Sequence, residues 1–100
     1  MEKHKAHYLL GTIKVHIAER GAQAFTFTAQ RGIEAMGLSR EQGIAVVLGL
    51  SSAMLFKSMT THSDVTVWQD VYHAPCPNGK TAYIKLTLQA GAVVIQFKEK

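Results

Sequence analysis

Cysteine occurs once in this chain, at Cys76, and proline twice, at Pro75 and Pro77. A lone thiol allows no disulfide within the chain, so the expected setting is reducing and the expected compartment the cytoplasm. Long apolar runs are missing as well. The longest, residues 44–50, contains Gly49 and falls far short of the roughly 20 residues that a membrane span needs. Behind the charged start Met1-Glu2-Lys3-His4-Lys5 there is no apolar signal core. No glycine-rich phosphate loop is present, because the spacing from Gly43 to Gly49 lacks a following Lys-Ser/Thr pair; this argues against a nucleotide-dependent enzyme. Acidic residues are few: 7 Asp and Glu against 11 Lys and Arg leave a formal charge of +4. The imbalance favours polyanion partners, although the cations are scattered rather than gathered in a run.

What is present is the composition of a globular protein, 47% hydrophobic and 18% charged over 100 residues. A chain of this length buries roughly 60–70% of its unfolded surface and is expected to form one domain, residues 1–100, without metal or disulfide support. Leu9, Leu10, Ile13 and Ile17 recur at helical offsets and predict a first helix over residues 7–20, closed by Gly21. The alternation Ile13, Val15, Ile17 also suits a strand, so periodicity alone leaves both open. Phe25-Thr26-Phe27 has strand character, and Thr28 can cap a second helix over residues 29–36, ended by Gly37. Ser39-Arg40-Glu41-Gln42 reads as a capping box opening a third helix over residues 40–48.

From Leu55 onward the hydrophobic period changes from about 3.6 to 2. Strands are expected over residues 55–61, 65–73, 80–89 and 92–98, separated by short turn-forming links. Asn78-Gly79 is a hairpin signal, and Pro75 and Pro77 are expected to keep the residues preceding them out of the ladder. Links this short imply an antiparallel meander. The expected class is therefore α+β, with N-terminal helices packed on one face of an antiparallel sheet.

Alternation also divides the strands. Ala82, Ile84, Leu86 and Leu88 are expected to point inward, and Tyr83, Lys85, Thr87 and Gln89 outward. In the last strand Val93, Ile95 and Phe97 oppose Gln96 and Lys98. If Trp68 and Tyr72 face the core, Gln69 joins the polar face; by the same logic Phe56 points inward and Lys57 outward. One residue from each strand then meets on the uncovered face: Lys57, Gln69, Tyr83 and Lys98. Such a group supplies what metal-free RNA cleavage requires, namely cations for charge building on a phosphate, an amide to orient it and a phenol or amine to move protons. A one-sided sheet also carries polar residues on its wet face for no reason beyond solvation. Tyrosine near pKa 10 and lysine near 10.4 are poor bases at neutral pH, so one must be shifted; mutually close lysines lower each other's pKa.

The run Phe56-Lys57-Ser58-Met59-Thr60-Thr61-His62-Ser63-Asp64 into Val67-Trp68-Gln69-Asp70-Val71-Tyr72 resembles the core of the MqsR-type toxins, the motility quorum-sensing regulator family. The likeness recurs in Ala82-Tyr83-Ile84-Lys85-Leu86-Thr87 and in Val94-Ile95-Gln96-Phe97-Lys98-Glu99-Lys100, and departs around residues 25–36. The resemblance implies a RelE-like ribonuclease fold and cleavage of messenger RNA, commonly at GC-containing triplets, by 2′-hydroxyl attack to a 2′,3′-cyclic phosphate. It maps family residues implicated in cleavage onto Lys57, Gln69, Tyr83 and Lys98. It further implies an antitoxin partner with a zinc-binding part and a helix-turn-helix part, and no sequence-specific DNA binding by the chain itself.

Other residues compete for roles. His62 titrates near neutrality and is an alternative base; with Lys85 and Gln96 it is expected to contact RNA. His73 and Cys76 have the spacing of half a zinc site, but no second pair lies at suitable spacing, so neither metal nor cofactor is assigned. Trp68 and Tyr72 are expected in the core, while Phe25 and Phe27 are open between core and base stacking. The alternatives to an enzyme are a non-catalytic RNA-binding module on the same face and a protein-interaction domain with a free edge strand.

Overall fold

The computed structural model describes residues 1–100. Five antiparallel strands form one sheet in the order β1 (Glu2–Lys3), β2 (Leu55–Thr60), β3 (Trp68–Pro75), β4 (Thr81–Leu86) and β5 (Val94–Glu99). Between β1 and β2 the chain forms the helices α1 (Leu10–Arg20), α2 (Phe27–Ala35) and α3 (Arg40–Leu48). The result is the α+β architecture expected, with helices on one sheet face and the other face open. Ile13 and Ile17 of α1, Ala29 and Ile33 of α2 and Val47 of α3 bury against Tyr72, Ala74, Ala82, Ile84, Leu86, Val94 and Phe97 of the sheet.

Each helix is bounded by local chemistry. Ser39 and Gln42 form the reciprocal capping box, with Gln42 N–H donating to Ser39 Oγ and Ser39 N–H to Gln42 Oε1. Gly21 ends α1 at φ 55°, a left-handed conformation that a side chain resists. Gly32 lets α2 lie directly on β5: a Cβ there would stand 1.6 Å from the Phe97 carbonyl oxygen.

Several boundaries differ from the sequence reading. The first helix begins at Leu10 rather than near residue 7, because the His7 and Tyr8 N–H groups donate to the Asp70 carboxylate at 2.9–3.1 Å. Leu9 is consequently exposed rather than buried. Thr26, not Thr28, caps α2, accepting from Ala29 N–H, so Phe27 lies in the helix and is exposed. Phe25 is buried and makes only a single parallel bridge to Val94. A bulge in β5 between its pairs to Lys85 and Leu86 makes Val94, not Ile95, the core residue beside Leu86. The fourth strand ends at Leu86; Thr87 Oγ1 turns back to the Trp68 carbonyl and the Tyr8 hydroxyl, and Gln89 caps Trp68 N–H, so neither belongs to the open face. Trp68 is half-buried rather than central: His7 stacks on it at 5.0 Å, and Lys3 Nζ sits 4.1 Å from its ring centroid. The two-residue β1 had no sequence signal. No helix is long and apolar enough to cross a membrane.

Two substitutions test this frame by urea unfolding. Asp70→Ala strands the His7 and Tyr8 N–H groups and the Ser58 hydroxyl, which donates at 2.6 Å, and should cost about 3 kcal/mol. Gly32→Ala should destabilise by about 2 kcal/mol despite the better helix propensity of alanine, because backbone must move.

Candidate active site

The open face is a grid set by strand register. One row runs Lys57, Val71, Lys85, Gln96 across β2 to β5; the next runs His73, Tyr83, Lys98 across β3 to β5. A third row joins Glu2, Met59 and Gln69 across β1 to β3. Alternation with the helix-side residues Ser58, Asp70, Ile84 and Phe97 turns these side chains outward. Val71 is fully buried without touching the helix-side core, so it forms an apolar floor beneath the longer polar side chains around it.

Lys57, Gln69, Tyr83 and Lys98 thus stand on four successive strands of one face. Lys98 Nζ lies 5.1 Å from the Tyr83 ring centroid, and Lys85 Nζ 6.0 Å. Gln69 and Lys98 stand two strands and two rows apart on this face. Gln96 shares the row of Lys85. His62 does not join the rows: it is exposed in the β2–β3 connection, five residues beyond Lys57 and past the end of β2.

Three members were missed by sequence reasoning. Glu2 accepts an ion pair from Lys57 Nζ at 2.6 Å, and that bond and charge hold its carboxyl below the usual range. Phe56 points outward, not inward, because a bulge between Leu55 and Lys57 puts two successive residues on the open face. Its ring stacks on His73 at 4.4 Å, and His73 lies 5.8 Å from Tyr83. The alternation Gln69, Val71, His73 could have placed His73; nothing local marked Glu2 or the bulge. Burial, then the charge of Lys100, pushes the His73 pKa down from 6.5. Cys76 is buried on the other side, among core residues, and burial pushes its thiol up. His73 and Cys76 therefore do not converge, and no group of three or more His, Cys, Asp or Glu is placed to hold a metal.

Lys85 is half-buried on this face. Burial, then the charges of Lys98 and Lys57, lower its pKa. The other lysines of the face differ in their partners: Lys57 has Glu2, whereas Lys98 is exposed.

A one-sheet α+β protein with helices behind and a cationic, tyrosine-bearing face in front has the form of the RelE-like toxins. Residues 5–99 match the family described as "Motility quorum-sensing regulator, toxin of MqsA". The chain belongs to that family. It is 36% identical over 100 residues, covering the whole of both chains, to the mRNA interferase toxin MqsR of Escherichia coli (strain K12).

The His73 environment yields a pH prediction. A histidine with a lowered folded pKa contributes stability at and above its unfolded value of about 6.5 and loses it as pH falls toward the folded value. Wild type should therefore lose more stability between pH 7.5 and 5 than His73→Phe, which keeps the ring stack and does not titrate. Paired urea titrations at the two pH values measure the difference; equal losses would remove His73 from the account.

Proposed function

We propose that this chain is the toxin of a toxin–antitoxin pair, an endoribonuclease that cuts messenger RNA in the cytoplasm. The reading is supported by full-length similarity to an mRNA interferase together with the four-strand arrangement of Lys57, Gln69, Tyr83 and Lys98 on an open cationic face. Residues 1–100 act as one toxin domain in this reading.

The chemistry is attack by a ribose 2′-hydroxyl on the adjacent phosphorus, giving a 2′,3′-cyclic phosphate and a free 5′-hydroxyl. Lys57 and Lys98 stabilise the charge that grows on the phosphate oxygens. Gln69 orients the phosphate or ribose, and the Tyr83 phenol supplies a proton to the leaving oxygen. Lys85, Gln96 and, in the β2–β3 connection, His62 contact the RNA. Cleavage at GC-containing triplets fits this scheme, with the base preference set by the surfaces flanking the grid. The partner is an antitoxin of the MqsA kind, carrying a zinc-binding part and a helix-turn-helix part; sequence-specific DNA binding belongs to that partner.

Incubation of messenger RNA with the protein in excess chelator should give fragments ending in 2′,3′-cyclic phosphate, while DNA and RNA with a single 2′-deoxy residue at the cut site stay whole. Lys57→Ala, Gln69→Ala and Tyr83→Phe should each lower cleavage about 100-fold or more while remaining folded. Full cleavage by any one removes that residue from the mechanism. Salt-sensitive retention of intact RNA with no cyclic-phosphate ends identifies a binding module instead and overturns the enzyme reading.

A further inference from the structure

The proposed reaction leaves the attacking hydroxyl without a base. We infer that Lys85 fills that role: its side-chain amine, at the middle of the open face between Lys57 and Lys98, takes the proton from the 2′-hydroxyl. The inference rests on the endoribonuclease reading and deepens it.

Position is the first argument. Lys85 lies on β4, paired with Val71 on β3 and Gln96 on β5, so an apolar floor and an uncharged amide flank it. The charged or titratable groups sharing this face are Glu2 on β1, Lys57 on β2, His73 on β3, Tyr83 on β4, Lys98 on β5 and, just past the end of β5, Lys100, whose charge reaches His73. The helices cover the opposite face and offer it none. Partnership is the second argument. The two ion pairs of the molecule join Lys57 to Glu2 and Lys80 to Glu99, so no carboxylate is within ion-pair distance of Lys85 to hold its proton in place. Half-burial and the two neighbouring lysines act in the same direction, and both favour the neutral amine.

The step balances without an added reactant. The 2′ O–H bond breaks and its proton goes to Lys85 Nζ; the freed electron pair forms the bond from O2′ to phosphorus. The bond from phosphorus to O5′ breaks, and O5′ takes the Tyr83 phenolic proton. Lys85 then carries one proton more and Tyr83 one fewer. Transfer from the ammonium to the phenolate, directly or through water, restores both groups.

Lys85→Arg keeps the cation and removes the base. With the RNA substrate its kcat/KM should fall about 100-fold or more, while affinity for the uncleavable 2′-deoxy RNA stays within about threefold of wild type, as expected for a retained phosphate contact. The wild-type pH–rate profile should climb with pH through the lowered lysine pKa, and the variant should lose that limb. A variant that cleaves within about threefold of wild type, or keeps the same limb, overturns the inference. Should Lys85→Arg fail to fold, NMR titration of labelled lysine side chains in wild type decides the matter: Lys85 must titrate below the other lysines, and titration alongside them overturns the inference. Wild type that cleaves no RNA removes the endoribonuclease reading and this inference with it. Wild type that cleaves beside an equally active Lys85→Arg removes the inference alone.

Discussion

The buried carboxylate of Asp70 is the contact on which the arrangement depends. It accepts from the backbone of His7 and Tyr8 and from the hydroxyl of Ser58, joining the N-terminal segment, β2 and β3 at one point. Because a sheet alternates with a period of two, anchoring Asp70 on the helix side fixes Gln69, Val71 and His73 on the other. A slip of one residue would send Gln69 under the helices and Asp70 into the site. The same contact brings the chain start back over β2, so that Glu2 pairs beside Met59 and its carboxylate reaches Lys57. A buried polar network of this kind, with every partner satisfied, specifies one register.

The two faces are then held in different solvents. Behind the sheet, Gly32 admits α2 to within backbone contact of β5, and the core closes with aliphatic side chains and Tyr72. In front, Lys57, Lys85 and Lys98, with Lys100 just past the end of β5, share one face with a single paired carboxylate. Clustered like charges oppose folding in proportion to their proximity, so the concentration of cations there does not serve stability. The bulge at Phe56 and the bulge at Ile95 adjust the edges of this face: one adds an aromatic ring to the stack on His73, and the other returns β5 to the core through Val94.

Much of the fold was legible because it is local. The capping box at Ser39, the glycine closing α1, the Asn78-Gly79 turn and the alternation through Ala82, Tyr83, Ile84, Lys85 and Leu86 each act within a few residues. Where reading failed, a distant partner had overridden the local preference. Phe27 has strand character, yet Thr26 is seated on β5 through the Val94 and Ile95 carbonyls and starts a helix there. His7 and Tyr8 could have extended α1, but their N–H groups are taken by Asp70. Thr87 and Gln89 continue the alternation in sequence and leave it in space, because Tyr8 and Trp68 draw them away. The four outward residues first expected at the site did fall on one face, since period-two alternation survives in the middle of strands even where the ends are misjudged.

By itself the sequence determined the α+β class, the meander, the outward placement of Lys57, Gln69, Tyr83 and Lys98, and membership in a toxin family. These follow from periodicity, turn chemistry and motif, all of which act over short stretches of chain. Only the tertiary structure decided that Glu2 engages Lys57, that Phe56 and His73 stack beside Tyr83, and that Lys85 sits unpartnered among cations. Those relations join residues up to 55 positions apart across the sheet. Strand register and bulges set them, and no local pattern encodes either.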